Sequence, residues 1–114
     1  MKAAPAALFA MALAACTGQA GGPLGQGGRQ AVIAAGCGAC HVIPGLPSAR
    51  GAVGPPLTGI GGRVYIAGIL PNSPANMVRW IRQPQSILPG NAMPDTGLDA
   101  TQAGEIATYL ESLK

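Results

Sequence analysis

Two of the three cysteines and the only histidine of this chain stand together as Cys37-x-x-Cys40-His41. A pair of thiols at this spacing supports three kinds of chemistry: redox disulfide exchange, zinc coordination, or covalent attachment of haem where a histidine follows directly. Because the chain has no second histidine, a metal bound by His41 must take its other ligands from different residue types.

The surroundings of this motif favour haem attachment over the two alternatives. A thioredoxin-like disulfide expects a βαβ setting, which the chain does not show, and a structural zinc site expects further ligands at finger spacing, which are missing. On a helical turn, residues i and i+3 share a face, so the sulfurs of Cys37 and Cys40 can bond the two vinyl groups along one edge of a porphyrin. His41 can then reach the iron. The sequence therefore predicts one covalently bound haem c with its iron.

Two methionines lie downstream of the motif and are candidates for a further iron ligand. Met77 lies on the apolar stripe of a predicted helix, where methionine is a common core residue. Met93 lies in the loop "GNAMPD" (90–95), which offers no helix face for packing, and Pro94 disfavours helical backbone at the residue before it. We therefore interpret Met77 as a core residue and take Met93 as the candidate ligand.

Three helices are predicted around these residues. The first covers 29–36 and contains mostly small apolar side chains. The second has Ser73 as N-cap and Pro74 at its first helical position. The last starts at Asp99, with Gln102 as its capping-box partner. We expect Gly36 and Tyr109 to serve the packing of the first helix against the last.

Proline and glycine interrupt the segments between these helices. Residues 42–56 and 84–98 are predicted to be loops, whereas 63–70 is short, apolar and compatible with either a strand or a helix. No segment shows sustained period-two alternation, so the fold class is predicted to be all-α, small and loop-rich. Such a domain has few large side chains for a core, and a porphyrin would supply the missing apolar body.

The N-terminal segment has the pattern of an export signal. Lys2 gives a positive start, and the apolar run 6–15 is too short to cross a bilayer as a helix. The sequence Leu13-Ala14-Ala15-Cys16 resembles the lipobox of bacterial lipoproteins, which implies removal of residues 1–15 and lipid attachment to Cys16. The alternative is ordinary cleavage after small residues, with Cys16 left as a free thiol.

These features divide the chain into three parts. Residues 1–15 are the signal peptide, 16–28 are the lipidated cysteine with a flexible Gly-rich tether, and 29–114 are the folded domain. We expect the protein to be exported, on the periplasmic side, and anchored to a membrane by this lipid.

The charge of the processed chain is mild. Without residues 1–15, six basic residues face four acidic ones, a net charge of +2. No basic cluster with interleaved aromatic residues is present, so nucleic acid is not expected as a partner. The basic residues are five arginines and one lysine, Lys114, and we expect little long-range electrostatic steering.

Four segments resemble class I c-type cytochromes, and especially the cytochrome c domain fused to subunit II of some bacterial haem–copper oxidases. In the order of the family, they are "GCGACH" (36–41), "GPPLTGIGGR" (54–63), "NMVRWI" (76–81) and "PGNAMPD" (89–95). The resemblance covers nearly all of the folded part. It implies a cytochrome c fold of about three to five short helices wrapped around one haem.

The resemblance also implies roles for individual residues. His41 is the proximal axial ligand, and Met93 is the distal one, since the distal methionine of the family lies in such a loop before the last helix. The carbonyl of Pro55 accepts a hydrogen bond from the proximal histidine, and Leu57 packs on the haem face. A rigid turn is the alternative interpretation of the Gly-Pro-Pro sequence at 54–56.

Three further residues are candidates for contact with the haem propionates, which need hydrogen-bond donors: Arg63, Tyr65 and Trp80. For Trp80, packing in the core is an equally good interpretation, and for Arg63 so is a plain surface charge.

The function implied is that of a membrane-tethered, monomeric electron carrier rather than an enzyme. Its donor would be a cytochrome bc-type complex, and its acceptor a terminal oxidase or another exported protein. One alternative is an electron-relay subunit permanently docked on an exported dehydrogenase or oxidase. Another is a haem enzyme or gas sensor with an open distal position, which Met93 and the lack of a second histidine disfavour.

Overall fold

The computed structural model describes residues 2–4 and 26–114, so the predictions for Cys16, the cleavage site and most of the tether lie outside the described residues. The described part contains four α-helices: α1 (Gln26–Ala34), α2 (Pro74–Arg82), α3 (Pro84–Ile87) and α4 (Ala100–Glu111). Two 3₁₀ turns, Cys37–Ala39 and Ile60–Gly62, lie between α1 and α2. None of these helices is long and apolar enough to cross a bilayer.

Local sequence signals determine the start of the two main helices. The Ser73 side chain accepts a hydrogen bond from the Asn76 backbone at 3.1 Å, and Pro74 occupies the first turn of α2, as predicted. The Asp99 carboxylate accepts from the Gln102 backbone at 2.8 Å, and the Gln102 side chain accepts from the Asp99 backbone at 3.0 Å. The predicted capping box of α4 is thus confirmed.

The prediction of an all-α fold was incomplete, because two short antiparallel ladders interrupt the loops. Strand β1 (Val42–Ile43) pairs with β2 (Leu46–Arg50), and β3 (Tyr65–Ile66) pairs with β4 (Leu70–Pro71). Three of the four strands have only two residues, too few to produce an alternating pattern that sequence analysis would detect.

Two helix boundaries also differ from the prediction. Helix α1 begins at Gln26 and ends at Ala34, so it includes the last three residues of the predicted tether and stops two residues before the predicted end of the helix. Helix α3 lies inside the predicted loop 84–98, where Pro84 occupies its first turn. Proline is compatible with the first turn of a helix because the amide hydrogen it lacks would have no partner there.

Helices α1 and α4 cross at a glycine. A Cβ atom on Gly28 would lie 2.8 Å from the Cβ of Tyr109 and 2.7 Å from the Glu105 carbonyl oxygen, so only glycine permits this approach. We expected Gly36 to serve this packing, but no atom lies within 4 Å of a Cβ placed there. Gly36 instead adopts a positive φ of 73° just after α1, a conformation that favours glycine.

The core is small and aliphatic. Met77 belongs to it with 1% of its surface exposed, which confirms the interpretation as a packing residue. Trp80 and Tyr109 lie at the edge of the core and are only partly buried. The buried apolar residues are Val32, Ile43, Leu46, Ala49, Ile60, Ile66, Met77, Ile81, Ala103, Ile106, Ala107 and Leu110.

Candidate functional site

The two thiols and the imidazole come from one tight turn. Two residues after α1, Gly36 begins a 3₁₀ turn formed by Cys37–Ala39. The backbone amides of Cys40 and His41 both donate to the Cys37 carbonyl, at 3.3 and 3.1 Å. Both cysteines are free thiols and partly exposed. Local backbone geometry thus brings the three residues together in one turn.

The environment of Cys37 argues against a redox disulfide. Burial raises the pKa of the Cys37 thiol above its usual value; a backbone hydrogen bond opposes this to a smaller extent, and the nearby Cys40 makes the smallest contribution, again upward. Redox-active C-x-x-C pairs depend on a thiol with a lowered pKa, because the thiolate is the reacting species. Cys37 therefore remains a protonated thiol at neutral pH.

The His41 ring is oriented by a backbone carbonyl. Its Nδ1 lies 2.7 Å from the carbonyl oxygen of Pro55, so the Nδ1–H donates to that carbonyl. In this tautomer Nε2 carries the free lone pair, and it is the nitrogen that can bind a metal. A carbonyl acceptor on the other ring nitrogen is the usual partner of a metal-binding histidine, since it fixes the ring and raises its basicity.

Gly54 provides the space for this ring. A Cβ on Gly54 would lie 2.7 Å from His41 Nδ1 and 2.8 Å from Nε2, closer than real Cβ contacts. The Gly54 amide also donates to the Cys40 carbonyl at 2.8 Å. The segment that carries Pro55 is therefore fastened directly to the cysteine turn.

Further backbone bonds hold the same segment on both sides. The Gly51 amide donates to the Gly38 carbonyl at 3.1 Å, and the Leu57 amide donates to the Val42 carbonyl at 2.9 Å. A Cβ on Gly51 would overlap the backbone of Ala39, so this contact too requires glycine.

The exposed Arg63 side chain is hydrogen-bonded to the segment that carries Pro55. Its guanidinium donates to the carbonyls of Pro56 and Thr58, at 2.8 and 3.0 Å. Those carbonyls lie one and three residues after Pro55, so Arg63 stabilises the segment that carries the acceptor for His41. These two hydrogen bonds use part of the capacity that Arg63 could offer to a haem propionate.

The other residues that are predicted to contact the haem differ in burial. Leu57 and Trp80 are partly buried and pack against the aliphatic core. Tyr65 lies on β3 with 53% of its surface exposed. For Trp80, the core interpretation therefore agrees with its position.

Met93 lies in a loop whose backbone is well defined by hydrogen bonds. The Met93 amide donates to the side-chain oxygen of Asn91 at 2.8 Å, and its carbonyl accepts from the Gln85 side chain at 2.7 Å. The Met93 side chain is half-buried. Met93 lies in the loop between α3 and α4, whereas His41 follows the cysteine turn after α1.

Two residues that organise the site were missed by sequence reasoning. Gln85 on α3 bonds to the Met93 loop, and the Asn72 side chain donates to the carbonyls of Ile60 and Arg63, both at 2.9 Å. An isolated Asn or Gln gives no such signal in a single sequence, because its partners are backbone carbonyls that only the fold brings close.

The residues present fit a covalently attached haem. They supply two thiols at i and i+3, an imidazole with Nε2 free and a thioether, which is the donor set of a haem c with His/Met ligation. In the segment 64–69, three large apolar side chains are at least half exposed and available to an apolar group: Val64, Tyr65 and Ile69. Within residues 2–4 and 26–114, no three His, Cys, Asp or Glu side chains cluster as an alternative metal site.

Comparisons with known proteins agree with this assignment. The family model for cytochrome c matches residues 26–114. The chain is 39% identical over 94 residues to cytochrome c oxidase subunit 2 of Alkalihalophilus pseudofirmus, covering 80% of this chain and 26% of that protein. It is 36% identical over 89 residues to cytochrome c oxidase subunit 2 of Bacillus sp. (strain PS3), covering 75% of this chain and 25% of that protein.

The chain thus spans about a quarter of the length of these curated relatives. No solved structure matches it significantly. The family match extends over the whole of the described domain, from the start of α1 through α4. This chain therefore belongs to the cytochrome c family, whose members bind haem c, with its iron, covalently.

Proposed function

We propose that this protein is a membrane-tethered monohaem cytochrome that carries single electrons between respiratory or photosynthetic complexes, toward a terminal oxidase. The hydrogen bond of 2.7 Å between His41 Nδ1 and the Pro55 carbonyl carries the proposal. It leaves Nε2 free for iron one residue after the second cysteine of the attachment motif.

In this proposal, each residue of the site has a separate task. Cys37 and Cys40 form the thioethers, while His41 and Met93 are the proximal and distal axial ligands. Pro55 orients His41, a role that its 2.7 Å contact supports. The remaining haem-binding residues are Leu57, Arg63, Tyr65 and Trp80.

Ligation by both His41 and Met93 favours electron transfer over catalysis. With both residues bound to it, the iron would offer no open position to oxygen or peroxide, and its chemistry would be limited to a change of oxidation state. A soft thioether also raises the reduction potential of the iron. We therefore propose a carrier and not an enzyme.

The partners are proposed from the relatives and from the charge of the chain. Both relatives are named cytochrome c oxidase subunit 2, which supports a membrane oxidase as the acceptor. With few lysines, the protein relies little on long-range steering, and a lipid on Cys16 would instead raise its effective concentration beside membrane partners. We propose a monomer on the periplasmic side that receives electrons from a cytochrome bc-type donor.

A second candidate is an electron-relay subunit that stays docked on an exported dehydrogenase or oxidase. The match to part of an oxidase subunit favours it, because there the homologous segment belongs to the enzyme itself. Purification in mild detergent separates the two. A partner that stays bound through high salt would indicate the relay subunit, whereas a chain that purifies alone and reduces an oxidase would indicate the shuttle.

Binding of carbon monoxide tests the closed axial pair. We expect the reduced wild-type protein to resist carbon monoxide at neutral pH and Met93→Ala to bind it, as measured by the visible spectrum. Met77→Leu is the matched control, since Met77 is 1% exposed in the core and the replacement preserves its volume. Rapid binding by the wild type, or binding by Met77→Leu alone, would contradict the assignment of Met93.

The tether is tested separately by Cys16→Ser. We expect this variant to leave the membrane fraction and to keep the spectrum of the wild type, because the proposed lipid site lies outside the folded domain. Retention of Cys16→Ser in the membrane fraction, in the absence of a partner, would contradict lipid anchoring at Cys16.

A further inference from the structure

One side chain on α3 makes three hydrogen bonds to the backbone around Met93. The Gln85 amide nitrogen donates to two carbonyl oxygens of the loop, that of Asn91 at 2.8 Å and that of Met93 at 2.7 Å. Its Oε1 accepts from the Gly90 amide at 2.9 Å. A single glutamine thus bonds to three backbone groups within four consecutive loop residues.

The position of Gln85 suits it to this task. It lies on α3 directly after Pro84, whose side chain is fully buried, so the base of the side chain is anchored to the domain. Its backbone amide donates to the Asp95 carboxylate at 3.1 Å. Gln85 therefore bonds to the loop at Gly90 and Asn91, at Met93, and at Asp95.

The Met93 side chain does not by itself hold the loop backbone in place, so other residues must do so. The side chain of Met93 is unbranched and has several rotatable bonds, so the sulfur alone does not fix the backbone behind it. The Met93 carbonyl is held by Gln85, and its amide is held by the Asn91 side chain at 2.8 Å. The Asn91 side chain also donates to the carbonyls of Leu88 at 2.7 Å and Pro84 at 3.4 Å, so it contributes to the attachment, but only Gln85 bonds from α3 to the Met93 carbonyl itself.

We propose that Gln85 is a positioning residue that holds the Met93 loop against the domain and so keeps the sulfur bound when another ligand competes for the iron. The inference rests on the proposed function, in which Met93 is the distal ligand. Without Gln85, the loop opens more often, and each opening exposes the distal position.

The rate at which added imidazole replaces the Met93 sulfur on the iron measures how often the loop opens. In oxidised holoprotein we expect Gln85→Ala to exchange at least about tenfold faster than the wild type, since each lost hydrogen bond contributes roughly a fivefold factor to an equilibrium. Gln85→Glu keeps an acceptor for Gly90 but turns oxygen atoms toward the carbonyls of Asn91 and Met93. We expect Gln85→Glu to exchange its sulfur faster as well. Because glutamate has nearly the same volume as glutamine, that result would identify the lost donor as the cause.

Gln102→Ala is the matched control for general destabilisation. Gln102 makes a single side-chain bond of 3.0 Å to the Asp99 amide at the start of α4, away from the Met93 loop. We expect Gln102→Ala to lower the melting temperature without changing the exchange rate. Equal acceleration in Gln102→Ala and Gln85→Ala, at equal loss of stability, would overturn the inference, because Gln85 would then act only through overall stability.

The near-infrared band from sulfur bound to ferric iron separates this inference from the proposed function. A wild-type protein without the band would overturn both, since Met93 would not be the ligand. A wild-type protein with the band, and Gln85 variants that exchange at the wild-type rate, would overturn the role of Gln85 alone. Retention of the band with faster exchange in both Gln85 variants is the expected result.

Discussion

Replacement of Gly54 by alanine should disturb the proximal side of the site through one methyl group. The new Cβ would lie 2.7 Å from His41 Nδ1 and 2.8 Å from Nε2, so the ring must move. Movement weakens the bond of 2.7 Å to the Pro55 carbonyl and forces the side chain away from its preferred rotamer. The two costs sum to about 2 kcal/mol in the free energy of unfolding, which lowers the melting temperature by roughly 10 °C.

The same variant should change the reduction potential. In the proposed role of His41 as an iron ligand, loss of the carbonyl acceptor would make the imidazole a weaker donor and destabilise ferric iron relative to ferrous iron. If about 1 kcal/mol of the hydrogen bond is specific to the ferric state, the potential rises by about 40 mV for a one-electron couple.

Thermal unfolding of the oxidised holoprotein and an equilibrium redox titration measure these two effects. Gly62→Ala is the matched control, because no atom lies within 4 Å of a Cβ at Gly62 and its φ is not positive. Should Gly54→Ala behave like Gly62→Ala in both melting temperature and potential, the argument that Gly54 makes room for the oriented imidazole would be refuted.

Two further variants test the packing around the site. Gly28→Ala should destabilise the domain by forcing α1 away from Tyr109, while the adjacent Gly27→Ala, where no atom lies within 4 Å, should be neutral or slightly stabilising in a denaturant titration. Asn72→Ala removes both 2.9 Å bonds to the carbonyls of Ile60 and Arg63 and should cost about 1–3 kcal/mol in the same titration; an unchanged midpoint would show that water replaces the amide without loss.

The sequence predicted those parts of the fold that local chemistry determines. The N-caps Ser73 and Asp99 are bonded as expected, because a cap requires only residues within one helical turn. The cysteine turn is likewise closed by local bonds, since the amides of Cys40 and His41 both donate to the Cys37 carbonyl; only its attachment to residues 51–54 is long-range. The position of Met93 in a loop followed from its flanking proline and glycine.

Long-range contacts could not be predicted in this way. The expected role of Gly36 in helix packing was wrong, since the crossing of α1 and α4 depends on which glycine meets Tyr109, and that is Gly28. The two hairpins are held by a few backbone bonds between segments with no distinctive composition. The importance of Gln85 depends on the return of the chain at residues 90–93 to α3, a path that no periodic pattern records.

The central claim is that a haem is bonded to Cys37 and Cys40, and chromatography of the denatured protein tests it most directly. The full chain would be produced in a host that attaches haem c and separated under fully denaturing conditions, with haem absorbance and polypeptide detected together. We predict that haem elutes with the wild-type chain and that none elutes with a Cys37→Ala/Cys40→Ala double variant. Separation of the haem from the denatured wild-type chain, or a double variant that retains it, would contradict the account.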